Sequence, residues 1–137
     1  MRTLAALLVL ALAAPALAED AVSGAYDVAY EDAGTTCTNT PVTLTKGKLT
    51  IAIKKSTLSV AFDPAFALTG TPSTDGTIKA KTAKLIGTSV GGLSARYSVV
   101  GRVDHGTLQL ALTAQYIRQD TNRPFCAQTW NVTGSKK

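Results

Sequence analysis

The sequence predicts an all-β fold: a single antiparallel up-and-down β-barrel of about eight strands, carrying one disulfide. Three observations carry this. Apolar residues recur at every second position, the period of a strand with one buried face. Turn signals break these runs at intervals of about 8–12 residues. Two cysteines, Cys37 and Cys126, fall where such a barrel brings its first and last strands together. A β-sandwich is the alternative with the same rhythm.

The chain opens MRTLAALLVLALAAPALA. Arg2 supplies a short positive region, Leu4 to Leu12 an apolar stretch, and Ala16-Leu17-Ala18 a small-x-small cleavage signal. That layout predicts a secretory signal peptide over 1–18 and a barrel domain over 19–137. The apolar stretch is too short for a membrane span. The expected location is secreted or periplasmic, and the Ala/Leu bias points to a bacterial source. Without Arg2, 13 basic side chains face 9 acidic ones. This balance is mildly basic and is no nucleic-acid signature.

The first strand is expected over about Val22 to Asp32. There Tyr26, Val28 and Tyr30 share one face and Asp27 and Glu31 the other. "PVTLT" offers Val42 and Leu44. "KLTIAIKK" alternates Leu49, Ile51 and Ile53 with Thr50, Ala52 and Lys54. "TLSVAF" alternates Leu58, Val60 and Phe62 with Thr57, Ser59 and Ala61. Between residues 63 and 92 the pattern is weaker: Phe66 and Leu68, then Ile78 and Ala80, then an irregular "AKLIGT". Leu93, Ala95, Tyr97 and Val99 then oppose Ser94, Arg96 and Ser98. Leu108, Leu110, Leu112 and Ala114 oppose Gln109, Ala111, Thr113 and Gln115. In the closing run Cys126, Gln128, Trp130 and Val132 oppose Phe125, Ala127, Thr129 and Asn131. Lys54-Lys55-Ser56, Asp75-Gly76, Gly91-Gly92 and Asp104-His105-Gly106 read as turns. An outer-membrane barrel would turn its apolar face to lipid and carry aromatic girdles. Aromatics are only 6% here and lysines occupy the other face, so a water-facing barrel is expected.

In an even-stranded up-and-down barrel the last strand pairs antiparallel with the first. The end of strand one, near Cys37, then lies beside the start of the last strand, near Cys126. Topology and cysteine count, argued separately, predict the same disulfide. The bond would close a loop of 89 positions.

The strand rhythm, "SGAY" (23–26) and the terminal "TWNVTG" (129–134) resemble calycin-type barrels such as lipocalins. The lipocalin pattern has Gly-x-Trp in strand one, with the Trp plugging the barrel floor. Gly24-x-Tyr26 stands in that place, Tyr for Trp. The size and single disulfide also resemble small periplasmic barrels that inhibit lysozymes or proteases. The resemblance implies a non-enzymatic binding protein for a small apolar ligand or a partner at the rim. The alternative is an envelope or extracellular protein with a structural or inhibitory role, acting through its surface.

No catalytic set emerges. His105, the only histidine, sits in a turn without a nucleophile. Asp104 beside it gives too few ligands for a metal. Glu31 and Asp32, adjacent on a strand, point to opposite faces. No cofactor or metal is expected. Lys46, Lys48, Lys54, Lys55, Lys79, Lys81 and Lys84 read as solubilising residues that blunt edge pairing. Asn131-Val132-Thr133 matches a glycosylation triplet, but in a strand. The functional candidates are the rim loops 31–41 and 118–124, with Asn39, Arg118, Asp120, Asn122 and Arg123, and inward Tyr26, Tyr97 and Trp130. The partner is a small hydrophobic ligand or an envelope macromolecule, without nucleic acid or a membrane span, and the protein is expected to be a monomer. An eight-stranded barrel lies at the crossover between a packed and a hollow interior, and the bulky inward residues favour packing.

Overall fold

The computed structural model describes residues 22–38, 44–63, 66–88 and 91–137. The expected signal peptide, Asn39 and Val42 lie outside them. Among the described residues nine strands follow in chain order: β1 Gly24–Thr35, β2 Lys46–Lys54, β3 Thr57–Asp63, β4 Phe66–Gly70, β5 Thr77–Lys81, β6 Ile86–Gly87, β7 Leu93–Asp104, β8 Thr107–Arg118 and β9 Pro124–Lys136. The first strand thus starts and ends later than its alternation suggested. Leu44 precedes β2 instead of belonging to a strand of its own.

Consecutive strands pair antiparallel from β1 to β5 and from β7 to β9. β9 pairs with β1, and β5 pairs with β7. These contacts close an eight-stranded barrel, and β6 is an extra short strand on β7. β5 and β6 lie end to end along the same neighbour. Between them the Thr82 amide donates to the Tyr97 carbonyl at 2.9 Å, and the Thr82 hydroxyl accepts from the Tyr97 amide at 3.1 Å. The side chain extends the ladder one step where the strand pattern stops.

Alternation puts one face of each strand inside. Buried apolar side chains come from all eight staves, with Trp130, Tyr26, Tyr116, Leu49 and Ile51 the bulkiest. At burial of this kind each large aliphatic contributes about 1.5–3 kcal/mol. Gly101 is an inward position with no room for a side chain. A Cβ there would sit 2.0 Å from the Gln109 carbonyl oxygen. Only glycine fits there against the β8 backbone.

The hairpin turns follow their residues. His105 (φ 53°) and Gly106 (φ 76°) adopt consecutive left-handed conformations between β7 and β8. That is the geometry of a tight primed turn. Lys55 (φ 56°) serves the β2–β3 turn. These turns, Val22 and Lys136 mark one end of the barrel. At that end the Tyr26 hydroxyl donates to the Val22 carbonyl at 2.6 Å, so the ring closes the floor.

The Cys37–Cys126 disulfide marks the other end, with a Cα–Cα distance of 5.1 Å. Thr35 faces Gln128, so the end of β1 lies beside the start of β9. β1 pairs with β2 only as far as Ala29. Beyond it β1 runs on against β9 alone, with a bulge between Asp32 and Gly34. The Asp32 carboxylate accepts the Gly34 amide there at 3.1 Å. Asp32, inward by alternation, is exposed on this overhang, where β2 no longer covers β1.

Candidate functional site

The described segments at the disulfide rim are 36–38, 44–45, 91–92 and 118–123. The loop after β8 is pinned at its base. The Arg118 amide donates to the Arg123 carbonyl at 2.9 Å, and the Asn122 amide to the Arg118 carbonyl at 2.8 Å. Asn122 takes a left-handed conformation (φ 60°), which asparagine tolerates well. Across the rim the Thr36 amide donates to the Ala127 carbonyl, and the Ala127 amide to the Thr36 hydroxyl, both at 2.9 Å. The disulfide therefore ties two segments that are already laced together.

The rim brings together Arg118, Asp120, Asn122 and Arg123, all exposed. Arg118 Nε lies 3.9 Å from an Asp120 carboxylate oxygen, a loose pair in solvent. The Arg118 guanidinium also sits 5.6 Å from the centre of the Phe125 ring. Phe125 is 53% exposed, one of few large apolar side chains left in water.

Inside the same mouth runs an aromatic arc. Tyr30 of β1, Phe62 of β3, Phe66 of β4 and Tyr97 of β7 follow one another at centroid distances of 6.4, 5.1 and 3.9 Å. The Phe66 and Tyr97 rings stack at 9°. This contact spans the place where β4 and β5 part, for they pair only through Thr69–Lys81 and Gly70–Ala80. Tyr30, Phe66 and Tyr97 are half-buried, whereas the core below is sealed. Gly47 leaves space on β2, and the Tyr30 ring lies over it.

On the disulfide side of Tyr97, inward Ala95 faces Tyr116, which lies level with Cys126, and inward Ala114 faces Gln128. The Tyr116 hydroxyl donates to Gln128 Oε1 at 3.5 Å. Burial, helped by nearby Tyr97, pushes the Tyr116 phenol up to about 12. Burial also raises Tyr30 and Tyr97 above the ordinary 10.0. The tyrosines of the mouth are therefore neutral at physiological pH. The surface they offer is aromatic, uncharged and open at one end. No protein-family model, curated protein or solved structure matches this chain.

The structure separates the inward candidates. Tyr97 stands in the mouth. Tyr26 lies at the opposite floor, and Trp130 is fully buried in the middle of the core. From the sequence Tyr30 and Phe62 read as inward-facing residues, and Phe66 only as part of a short, weaker strand. Their meeting depends on barrel closure, though their positions near strand ends were a usable signal. Among the described residues no group of three metal-binding side chains comes together. His105 pairs with its neighbour Asp104 at 2.8 Å in an exposed turn. No described helix is long and apolar enough to cross a membrane.

Proposed function

We propose that this protein is a non-enzymatic binding protein, secreted or periplasmic, that takes a small apolar and preferably planar ligand at its disulfide rim. The observation that carries this reading is the half-buried arc of Tyr30, Phe66 and Tyr97 above a filled core. Aromatic faces left partly open at a barrel mouth supply stacking surface without charge. The packed core makes the site a cup at the rim instead of a deep calyx. The disulfide supports the assignment to an oxidising compartment.

N-phenyl-1-naphthylamine, a neutral planar fluorophore, tests the reading. Saturable one-to-one binding is expected, weakened at least tenfold in the Phe66→Ala/Tyr97→Ala variant. Failure of the folded wild type to saturate with it would overturn the proposal.

A second reading, a macromolecular partner at the rim, draws on Phe125 and Arg118. An exposed ring under a guanidinium is the kind of anchor that protein interfaces use. In that reading Phe125→Ala removes the partner and leaves fluorophore binding intact.

A further inference from the structure

A second concavity lies on the outer wall, away from the mouth. It is a groove of about 560 Å³ crossing β4, β5, β7 and β8. That is the size of an ordinary small-molecule site. Lys79 and Lys81 stand on its β5 side, and Val100, Ala111 and Thr113 form its floor and far side. Register explains the hollow. Lys81 neighbours Ser98, and Ser98 neighbours Thr113. Lys79 neighbours Val100, and Val100 neighbours Ala111. Two long side chains thus border a run of short ones.

Val100 is out of place on this wall. The other outward positions of β7 are Ser94, Arg96, Ser98, Arg102 and Asp104, all polar. Val100 alone is apolar, and it is 53% exposed. Lys79 stands directly across from it and Lys81 diagonally across, and Arg102 lies two positions along β7 on the same face. Like charges so placed repel, and none of the three is in an ion pair among the described residues. The ion pairs among the described residues are Asp104–His105, Arg118–Asp120 and Asp27–Lys137. The one polar contact of these three cations among the described residues is Arg102 donating to the Asp75 carbonyl oxygen at 3.4 Å. The Asp75 carboxylate is itself engaged by Ser73 and Thr77. An unneutralised basic rim around an apolar floor attracts anions and retains those with an apolar tail.

We propose that this outer groove binds a free single-chain anionic amphiphile, its head between Lys79 and Lys81 and its chain across Val100 toward Ala111. Two strand spacings of about 4.8 Å, from β5 across β7 to β8, give the chain a track of roughly 10 Å. The groove shares no lining residue with the aromatic arc.

Decanoate is the probe, followed by calorimetry and by amide chemical-shift changes. Saturable binding is expected, with the largest shifts at Lys79 to Lys81 and Ser98 to Val100. Lys79→Glu/Lys81→Glu should weaken it at least tenfold while the melting temperature holds, because both side chains are in solvent. Val100→Lys should weaken it too, and Phe66→Ala/Tyr97→Ala should leave it unchanged. Equal binding of acetate would overturn the apolar part, and equal binding of decyltrimethylammonium the anionic part. Binding to anionic vesicles without decanoate binding, or shifts confined to the mouth, would overturn the proposal itself.

Discussion

Removing the disulfide should cost this barrel a large share of its stability. The perturbation is Cys37→Ala/Cys126→Ala, which avoids free thiols. The bond closes a loop of 89 positions. In the chain-entropy model a loop of that length, once freed, stabilises the unfolded chain by about 4–5 kcal/mol. For a domain of this size that corresponds to a fall in Tm of roughly 15 °C. The native side should change little. Thr36 and Ala127 keep their backbone bond, and β1 and β9 keep their ladder. Urea unfolding followed by circular dichroism measures the difference, and hydrogen exchange at Thr36 and Ala127 reports any local fraying. A loss below about 1 kcal/mol would refute the reasoning. It would mean that the unfolded chain keeps its ends together without the bond.

Two further outcomes follow from the interior. Trp130→Ala empties the middle of the core beside Leu112. It should destabilise the fold by about 3–5 kcal/mol in the same assay, and a cost near zero would mean the surrounding staves collapse into the gap. All four tyrosines have phenols raised by burial above 10.0, Tyr116 to about 12. The folded state therefore holds these protons more tightly than the unfolded chain. The stability this contributes is full below pH 10 and is lost as pH rises toward about 12. Absorbance of tyrosinate should accordingly rise late and together with unfolding, and reversible titration of all four near pH 10 in the folded protein would contradict it.

Much of the barrel can be read from the chain because its long strands alternate cleanly. Leu108 to Ala114 and Gln128 to Val132 announce their buried face residue by residue. The disulfide was legible for a different reason, since closure of an even barrel places both cysteines at one rim. The stretch from 63 to 92 was not legible, and its physics shows why. β4 and β5 have five residues each, and Thr82 continues the ladder through its hydroxyl instead of a strand pattern. The aromatic arc and the outer groove were hidden because both are cross-strand objects. Lys79 and Lys81 read as solubilising until the register sets short Ser98, Thr113 and Ala111 beside them. Tyr97 was a candidate from the start. Its stacking partner Phe66 could be found only once β4 was seen to stand next but one to β7.

The seam between β1 and β9 also governs when this molecule can exist. Tyr26 meets Lys136 and Thr35 meets Gln128, so the ladder that shuts the barrel joins the chain's earliest strand to its latest. A growing chain can form the β2–β3 hairpin and then the β7–β8 hairpin, but the first stave waits with one edge bare until β9 arrives. Pairing over such sequence distances is slow and leaves strand edges open to other chains meanwhile. The β1–β9 seam can therefore close only after β9 is made, and the covalent bond between Cys37 and Cys126 is the latch that makes that closure hard to reverse.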